Sequence, residues 1–305
     1  MEKEEDIKVD SEMLETLLEK LGFQDKDELL AAVDNQIEDE IRAKEAAEKR
    51  TEDPLKNWVR PFNEECPICL LPLPVDDDGI IYRQCCDSLL CKGCMHDHIL
   101  SLLKEGMDEE KVKKAVSTCA LCRQDPREDA VDMFALQKKL AKAGKLEAMY
   151  ELAMTYINGE NGVDLDWDEG LKWMQRAAIE GFGKASHFLG NCYRCGQNNI
   201  ERNINLAIEY YKQAGDNGSV QSYACAGEAL FQKGEIEYAM LYYRKAAMCG
   251  LSNEDLFTQL RDGFGEGYIT KDEYAYTLRE HQKASNEMKS ESRTIALRME
   301  MLKGR

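Results

Sequence analysis

The sequence predicts a mostly α-helical chain in which one small cysteine-built module separates a charged helical arm from a helical repeat array. Three observations lead there. Eight of the twelve cysteines fall between positions 66 and 122, as Cys66/Cys69, Cys85/Cys86, Cys91/Cys94 and Cys119/Cys122. Before them, apolar residues recur at helical spacing through a strongly charged stretch. After them, leucine, aromatic and glycine positions return at a fixed offset of 37 residues. At 305 residues the chain exceeds one typical domain. The divisions these signals suggest are 1–61, 62–127, 128–255 and 256–305.

Composition narrows the function. A net charge of −18 with no dense Lys/Arg block opposes phosphate backbones, so protein partners are expected and nucleic acid is not. The stretch from Cys66 to Cys122 mixes its lysines with acids and carries no basic stripe with interleaved aromatics, which ranks RNA or DNA binding last. The start, Met1-Glu2-Lys3-Glu4-Glu5-Asp6, has no basic region followed by an apolar run, and no stretch reaches about 18 uninterrupted apolar residues. An intracellular, soluble protein of the cytoplasm or nucleus is expected, with no membrane partner.

The arm reads as two helices. Met13, Leu14, Leu17, Leu18 and Leu21 form one stripe closed by Gly22, and Leu29, Leu30, Val33, Ile37 and Ile41 form a second that fades near Arg50. The stripe is short and lacks sustained heptads, so a solvated arm is favoured over a self-associating helix. From Pro54 to Pro61, Leu55, Trp58 and Val59 suggest a linker anchored by burial of a large aromatic.

In the module, three Cys-x-x-Cys spacings point to metal, because such a turn lets two sulfurs reach one zinc ion at about 2.3 Å. Eight thiolates suffice for two tetrahedral zinc sites. Plain burial does not explain three identical spacings, and disulfides need an oxidising compartment that nothing else indicates. Cys85-Cys86 is the awkward pair. Neighbouring side chains on a strand point to opposite faces, so the backbone there must turn, which Asp87 and Ser88 permit. The competing assignment frees Cys85 and recruits His96 or His98. Around these pairs, Ile80-Ile81-Tyr82 reads as a strand, Leu89-Leu90 as its return, and Met95 to Glu105 as a helix carrying Ile99, Leu102 and Leu103. A second short helix from Asp108 would hold Val112 and Val116.

This order of ligand pairs, strand pair and helix resembles the RING-type zinc finger over about 60 residues, in an all-cysteine variant with Ser88 where most members have histidine. The resemblance implies a small ββα module with a cross-brace: Cys66, Cys69, Cys91 and Cys94 on one zinc, Cys85, Cys86, Cys119 and Cys122 on the other. It also implies a scaffold that docks a ubiquitin-conjugating enzyme and orients its thioester without a covalent intermediate. By position, Ile68 and Leu121 would make the apolar contact with that enzyme, and Arg123 would be the cation bridging enzyme and ubiquitin. Ala120 replaces a common proline, and the helix lacks the frequent tryptophan.

Beyond the module, Leu152, Tyr156, Trp173 and Gly181 are answered by Leu189, Tyr193, Tyr210 and Gly218, and a third copy with a shorter internal loop runs through Leu230, Tyr242 and Gly250. The pattern resembles Sel1-like repeats, relatives of the tetratricopeptide repeat, which implies an α-solenoid offering a surface to a protein target. Small residues at 153, 177, 178, 190, 214 and 246 would let helices approach, with Trp173, Tyr210 and Tyr242 filling the gaps. Cys192 and Cys195 have zinc-pair spacing but stand alone on a repeat helix and read, with Cys225 and Cys249, as small buried residues. The stretch from Asp262 to Glu273 resembles a calcium loop, but Phe264 fills a required oxygen position, so a glycine-rich connection into a helix from Lys271 to about Met288 is expected. A ubiquitin ligase that recruits its target through the repeats is the leading reading, and a non-catalytic zinc-dependent scaffold is the rival.

Overall fold

The computed structural model describes residues 52–61, 64–75, 79–83, 85–104, 110, 118–122, 133–197 and 200–296. The two expected arm helices, the turn at Asp76–Asp78 and the short helix holding Val112 and Val116 lie outside these residues. The described chain runs β1 (Ile80–Arg83), β2 (Ser88–Cys91), α1 (Lys92–Lys104), α2 (Met133–Lys142), α3 (Leu146–Asn158), α4 (Trp167–Ile179), α5 (Gly183–Cys195), α6 (Ile204–Asp216), α7 (Val220–Gln232), α8 (Ile236–Met248), α9 (Glu254–Gly265) and α10 (Lys271–Met288). None of these helices is long and apolar enough to cross a membrane.

Helices α3 to α8 form three antiparallel pairs. The pairs α3/α4 and α5/α6 share one design: the second helix opens on a side-chain cap, Asp166 accepting from the Glu169 amide and Asn203 from the Leu206 amide. All three pairs stop at a glycine in left-handed backbone, Gly181, Gly218 and Gly250 with φ of 93°, 92° and 95°. Alanines 153, 177, 178, 214 and 246 are fully or almost fully buried, as close helix contact requires. The gap-filling aromatics differ from expectation by one position. Tyr211 and Tyr243 are buried, whereas Tyr210, Tyr242 and Trp173 are only partly so. Tyr211 and Tyr243 lie flat against glycines of the partner helix: a Cβ built on Gly190 would sit 2.7 Å from the Tyr211 ring, and one on Gly227 2.7 Å from the Tyr243 ring. Of the four repeat cysteines, Cys192 and Cys249 are buried and Cys225 half-buried, but Cys195, expected inside, is exposed at the C-terminal end of α5.

Helices α9 and α10 extend the array. The helix expected from Lys271 to about Met288 has those bounds, and Thr270 and Glu273 close a reciprocal cap at its start. Glu273 is thereby committed: it accepts from the Thr270 amide and from Arg244, and is not part of a calcium loop.

The segment 52–61 lies along the array. Arg244, 1 % exposed, pairs with Asp53 at 2.5 Å and Glu273 at 3.3 Å and donates Nε to Thr277 at 2.9 Å. Leu55 is buried, Trp58 meets Tyr223 edge-on at 6.0 Å, and Lys245 Nζ lies 5.0–5.5 Å from the rings of Trp58, Tyr223 and Tyr242. The anchor is thus Leu55 with a half-buried Trp58, while Val59, expected to share it, is 81 % exposed. A cavity of about 620 Å³ separates the cysteine-rich lobe from the array, lined among others by Leu73, Leu89, Phe182, Val220 and Met288.

The Gly190–Tyr211 contact gives a test with a defined sign. On an open helix face Gly→Ala stabilises by up to about 1 kcal/mol, but here the methyl must displace an aromatic ring, and overpacking costs about 1–3 kcal/mol. Gly190→Ala is therefore expected to lower the urea midpoint, with Gln175→Ala on the exposed face of α4 as a reference change of little effect.

A candidate two-metal centre

Strands β1 and β2 form an antiparallel hairpin in which Arg83 faces Ser88, with residues 85–87 in the turn before β2. Asp87 takes φ of 50° and its carboxylate accepts from the Tyr82 hydroxyl at 3.0 Å, while the Cys86 amide donates to the Arg83 carbonyl at 3.3 Å. The chain therefore turns at Cys85-Cys86, which removes the objection that adjacent residues of a strand face apart. Cys119 and Cys122 come to the same place from their own turn. The four sulfurs gather within 4.8 Å of one another, with Cys86 to Cys119 at 3.6 Å and Cys85 to Cys122 at 3.3 Å.

A second group forms at the open end of the hairpin, where Cys91 faces Ile80. Cys66 and Cys69 lie in a tight loop closed by Cys66 amide to Leu71 carbonyl at 2.9 Å and Leu70 amide to Cys66 carbonyl at 2.8 Å, with Leu70 at φ of 56°. Cys91 ends β2 and Cys94 sits in the first turn of α1. These four sulfurs are also mutually within 4.8 Å, Cys66 to Cys94 and Cys69 to Cys91 both at 3.8 Å. Four sulfurs around a tetrahedral ion at about 2.3 Å lie about 3.7 Å apart, so the donor set suits one zinc-sized ion per tetrad. Neither tetrad includes His96 or His98. The His96 Nδ1 atom is buried without a hydrogen-bond partner among the described residues, and the His98 carbonyl accepts from the Ser101 hydroxyl.

The electrostatics of each tetrad fit a cation. Burial opposes ionisation of Cys66, but amides of Cys91, Cys69 and Ile68 outweigh it and bring its thiol down to about 7. Cys119 is likewise brought to about 7 against burial, by the amides of Cys122 and Leu121 and by neighbouring thiols. Burial and the sulfurs of Cys91 and Cys69 hold Cys94 strongly protonated, and burial with Cys122 and Cys119 does the same for Cys85. Within each group one thiol is ready to ionise and another resists until a positive charge arrives.

Of the proposed contact residues, Ile68 is 44 % exposed on the first loop and Leu121 is half-buried against the small core of Cys66, Leu73, Leu90 and Cys91. Arg123 lies outside the described residues. The contacts that tie this lobe to the array gave no local signal. Asp87, beside the second tetrad, pairs with Lys145 before α3 at 3.0 Å. Arg293, beyond α10, donates to Cys69 Sγ at 3.5 Å and to carbonyls of the same loop.

The Sel1 repeat family matches residues 146–182, 183–219 and 227–251, so the array contains Sel1 repeats in the register that the glycine stops mark. Among solved structures, a Sel1 repeat protein from Oxalobacter formigenes is 28% identical, over 43% of this chain and 99% of that one, with a TM-score of 0.39. The protective antigen c5321 of uropathogenic Escherichia coli, which displays an SLR fold, is 21% identical over 62% of this chain and 41% of its own length, with a TM-score of 0.43. MamA is 15% identical over 53% of this chain and 92% of its own, with a TM-score of 0.30. No curated protein matches the chain.

Metal analysis of the purified full chain is expected to give two zinc ions, falling to one in Cys85→Ser and staying at two in His98→Ala. Because each ion must displace protons from sulfur, metal affinity should fall as the pH is lowered, with release read by a zinc-responsive dye.

Proposed function

We propose that this protein is a RING-type ubiquitin ligase, in which the cysteine-rich lobe docks a ubiquitin-conjugating enzyme and the Sel1 repeats hold a protein target. The observation that carries the reading is the interleaving of the cysteine pairs, first with third and second with fourth, at the open end and at the turn of one hairpin. Zinc bound at each tetrad would offset part of the thiolate charge and fix the loops. Ile68, with Leu70 69 % exposed beside it, offers an apolar surface on the first loop, and Leu121 stands on the second. Arg123 follows Cys122 directly and is the candidate bridging cation.

No nucleophile of the lobe is required. The conjugating enzyme brings the thioester, and the lobe restricts its orientation so that attack by the target amine becomes the favoured encounter. Repeats on the same chain raise the effective concentration of the target, an advantage that needs no added contact in the transition state.

Ala120 and the absence of tryptophan from α1 favour the rival, a scaffold that binds protein through the lobe without promoting transfer. An assay with purified conjugating enzymes, ubiquitin-activating enzyme and the full chain separates the two. A ligase shows chain-dependent ubiquitin transfer that falls about tenfold or more in Ile68→Ala, as for a central interface anchor, and falls also in Arg123→Ala. Transfer that is absent with every conjugating enzyme, or indifferent to both substitutions, assigns the scaffold role.

A further inference from the structure

Arg293 is 6 % exposed, and its guanidinium is aimed at the loop of the first tetrad. One terminal nitrogen donates to the Pro72 carbonyl at 2.6 Å and the Met288 carbonyl at 2.8 Å. The other donates to the Leu71 carbonyl at 3.4 Å and Cys69 Sγ at 3.5 Å. Its backbone presses on α1 between Cys91 and Cys94, where a Cβ built on Gly93 would lie 2.8 Å from the Arg293 amide nitrogen. Ser292 donates to Asp97 on the same helix. Among the described residues, none of the guanidinium's acceptors is a carboxylate: three are carbonyl oxygens and one is sulfur.

A buried guanidinium needs a counter-charge, and carbonyl dipoles supply only part of one. Four thiolates on one divalent ion carry a net charge of 2−, and such a centre is adjacent. We propose that Arg293 is an outer-shell partner of the first metal tetrad, and that the segment 290–296 is clamped on the lobe by metal loading of that tetrad. This rests on the reading that the first tetrad holds a metal ion, and adds that the loaded site fixes where the lobe stands relative to the repeats. The coupling is reciprocal: the ion orders the loop that receives the fork, and the fork, by donating to Cys69, steadies the ligand and retains the ion. Arginine suits the position because a planar fork can satisfy several acceptors of one loop at once, which an ammonium on a flexible stem does poorly.

The test uses the full chain loaded with zinc chloride. In the wild type, hydrogen exchange of the amides at 290–296 should be slow with two zinc ions bound and fast after chelation. Arg293→Ala should make the segment exchange rapidly with zinc present and weaken one of the two ions about tenfold in chelator competition, leaving the other unchanged, since outer-shell losses cost about 10–100-fold in affinity. Arg293→Lys should fall between. In cobalt-loaded protein, Arg293→Ala should shift the sulfur-to-metal charge-transfer bands, which loss of packing alone would not do. Glu287→Gln, which breaks the Arg60 pair on the preceding helix, should leave ion affinity at the wild-type value. Equal protection of 290–296 with and without zinc, or wild-type retention of both ions in Arg293→Ala, overturns the clamp while two bound ions leave the metal reading intact. Fewer than two ions in the wild type removes the metal reading and the clamp together.

Discussion

Everything in the lobe depends on cross-linking by sulfur, because oily surface alone cannot hold it. Its buried apolar residues among the described ones are Cys66, Leu73, Leu90, Cys91, Met95 and Cys119, far less than a segment of this length needs to fold by burial. Three of those six are themselves tetrad members. Each tetrad takes one pair from the hairpin region and one from elsewhere, so closing either group fixes a different part of the chain and closing both fixes the hairpin between them. The β1–β2 pairing is four residues long on each side and would be marginal without that bracing.

Repeat arrays usually gain stability from neighbours only. This one is strapped as well. The segment 52–61 runs across α8 and α10, held by the buried guanidinium of Arg244 and by Leu55, before the chain turns into the lobe. Among the described residues, the lobe touches the array near α3 through Asp87 and Lys145, past α10 through Arg293, and between these through Val75, which packs on the core that includes Val220 and Cys249. Lobe and array are thereby held at both ends of the array, with a cavity between them. A target held by the repeats would face a lobe whose placement the straps restrict, which is what a device based on proximity requires.

Much of this was legible in the sequence, for physical reasons that differ by region. The cysteine spacings and the 37-residue offset are local signals, and the hairpin, α1 and the glycine stops stand where those signals placed them. The turn at Cys85-Cys86 was legible as a necessity, and Asp87 supplies it with left-handed backbone. Periodicity was less able to say which of two adjacent tyrosines faces inward, since Tyr210 and Tyr211 differ by 100° on the helix and both neighbour apolar positions. The glycine opposite, Gly190, held that information: only a residue without Cβ lets Tyr211 lie there. Arg244 and Arg293 were not legible at all. Each sits among ordinary charged residues, and its partner in the strap or the lobe lies about 190 to 220 residues away.

The 224 residues between Cys69 and Arg293 also order events in time. At about 5–20 residues per second, a ribosome delivers the arginine roughly 10–45 s after the cysteine. Sulfurs of the newborn lobe that gather in that interval do so while the far side of its first loop is bare. Only when the last helices have emerged can the chain fold back and cover that loop.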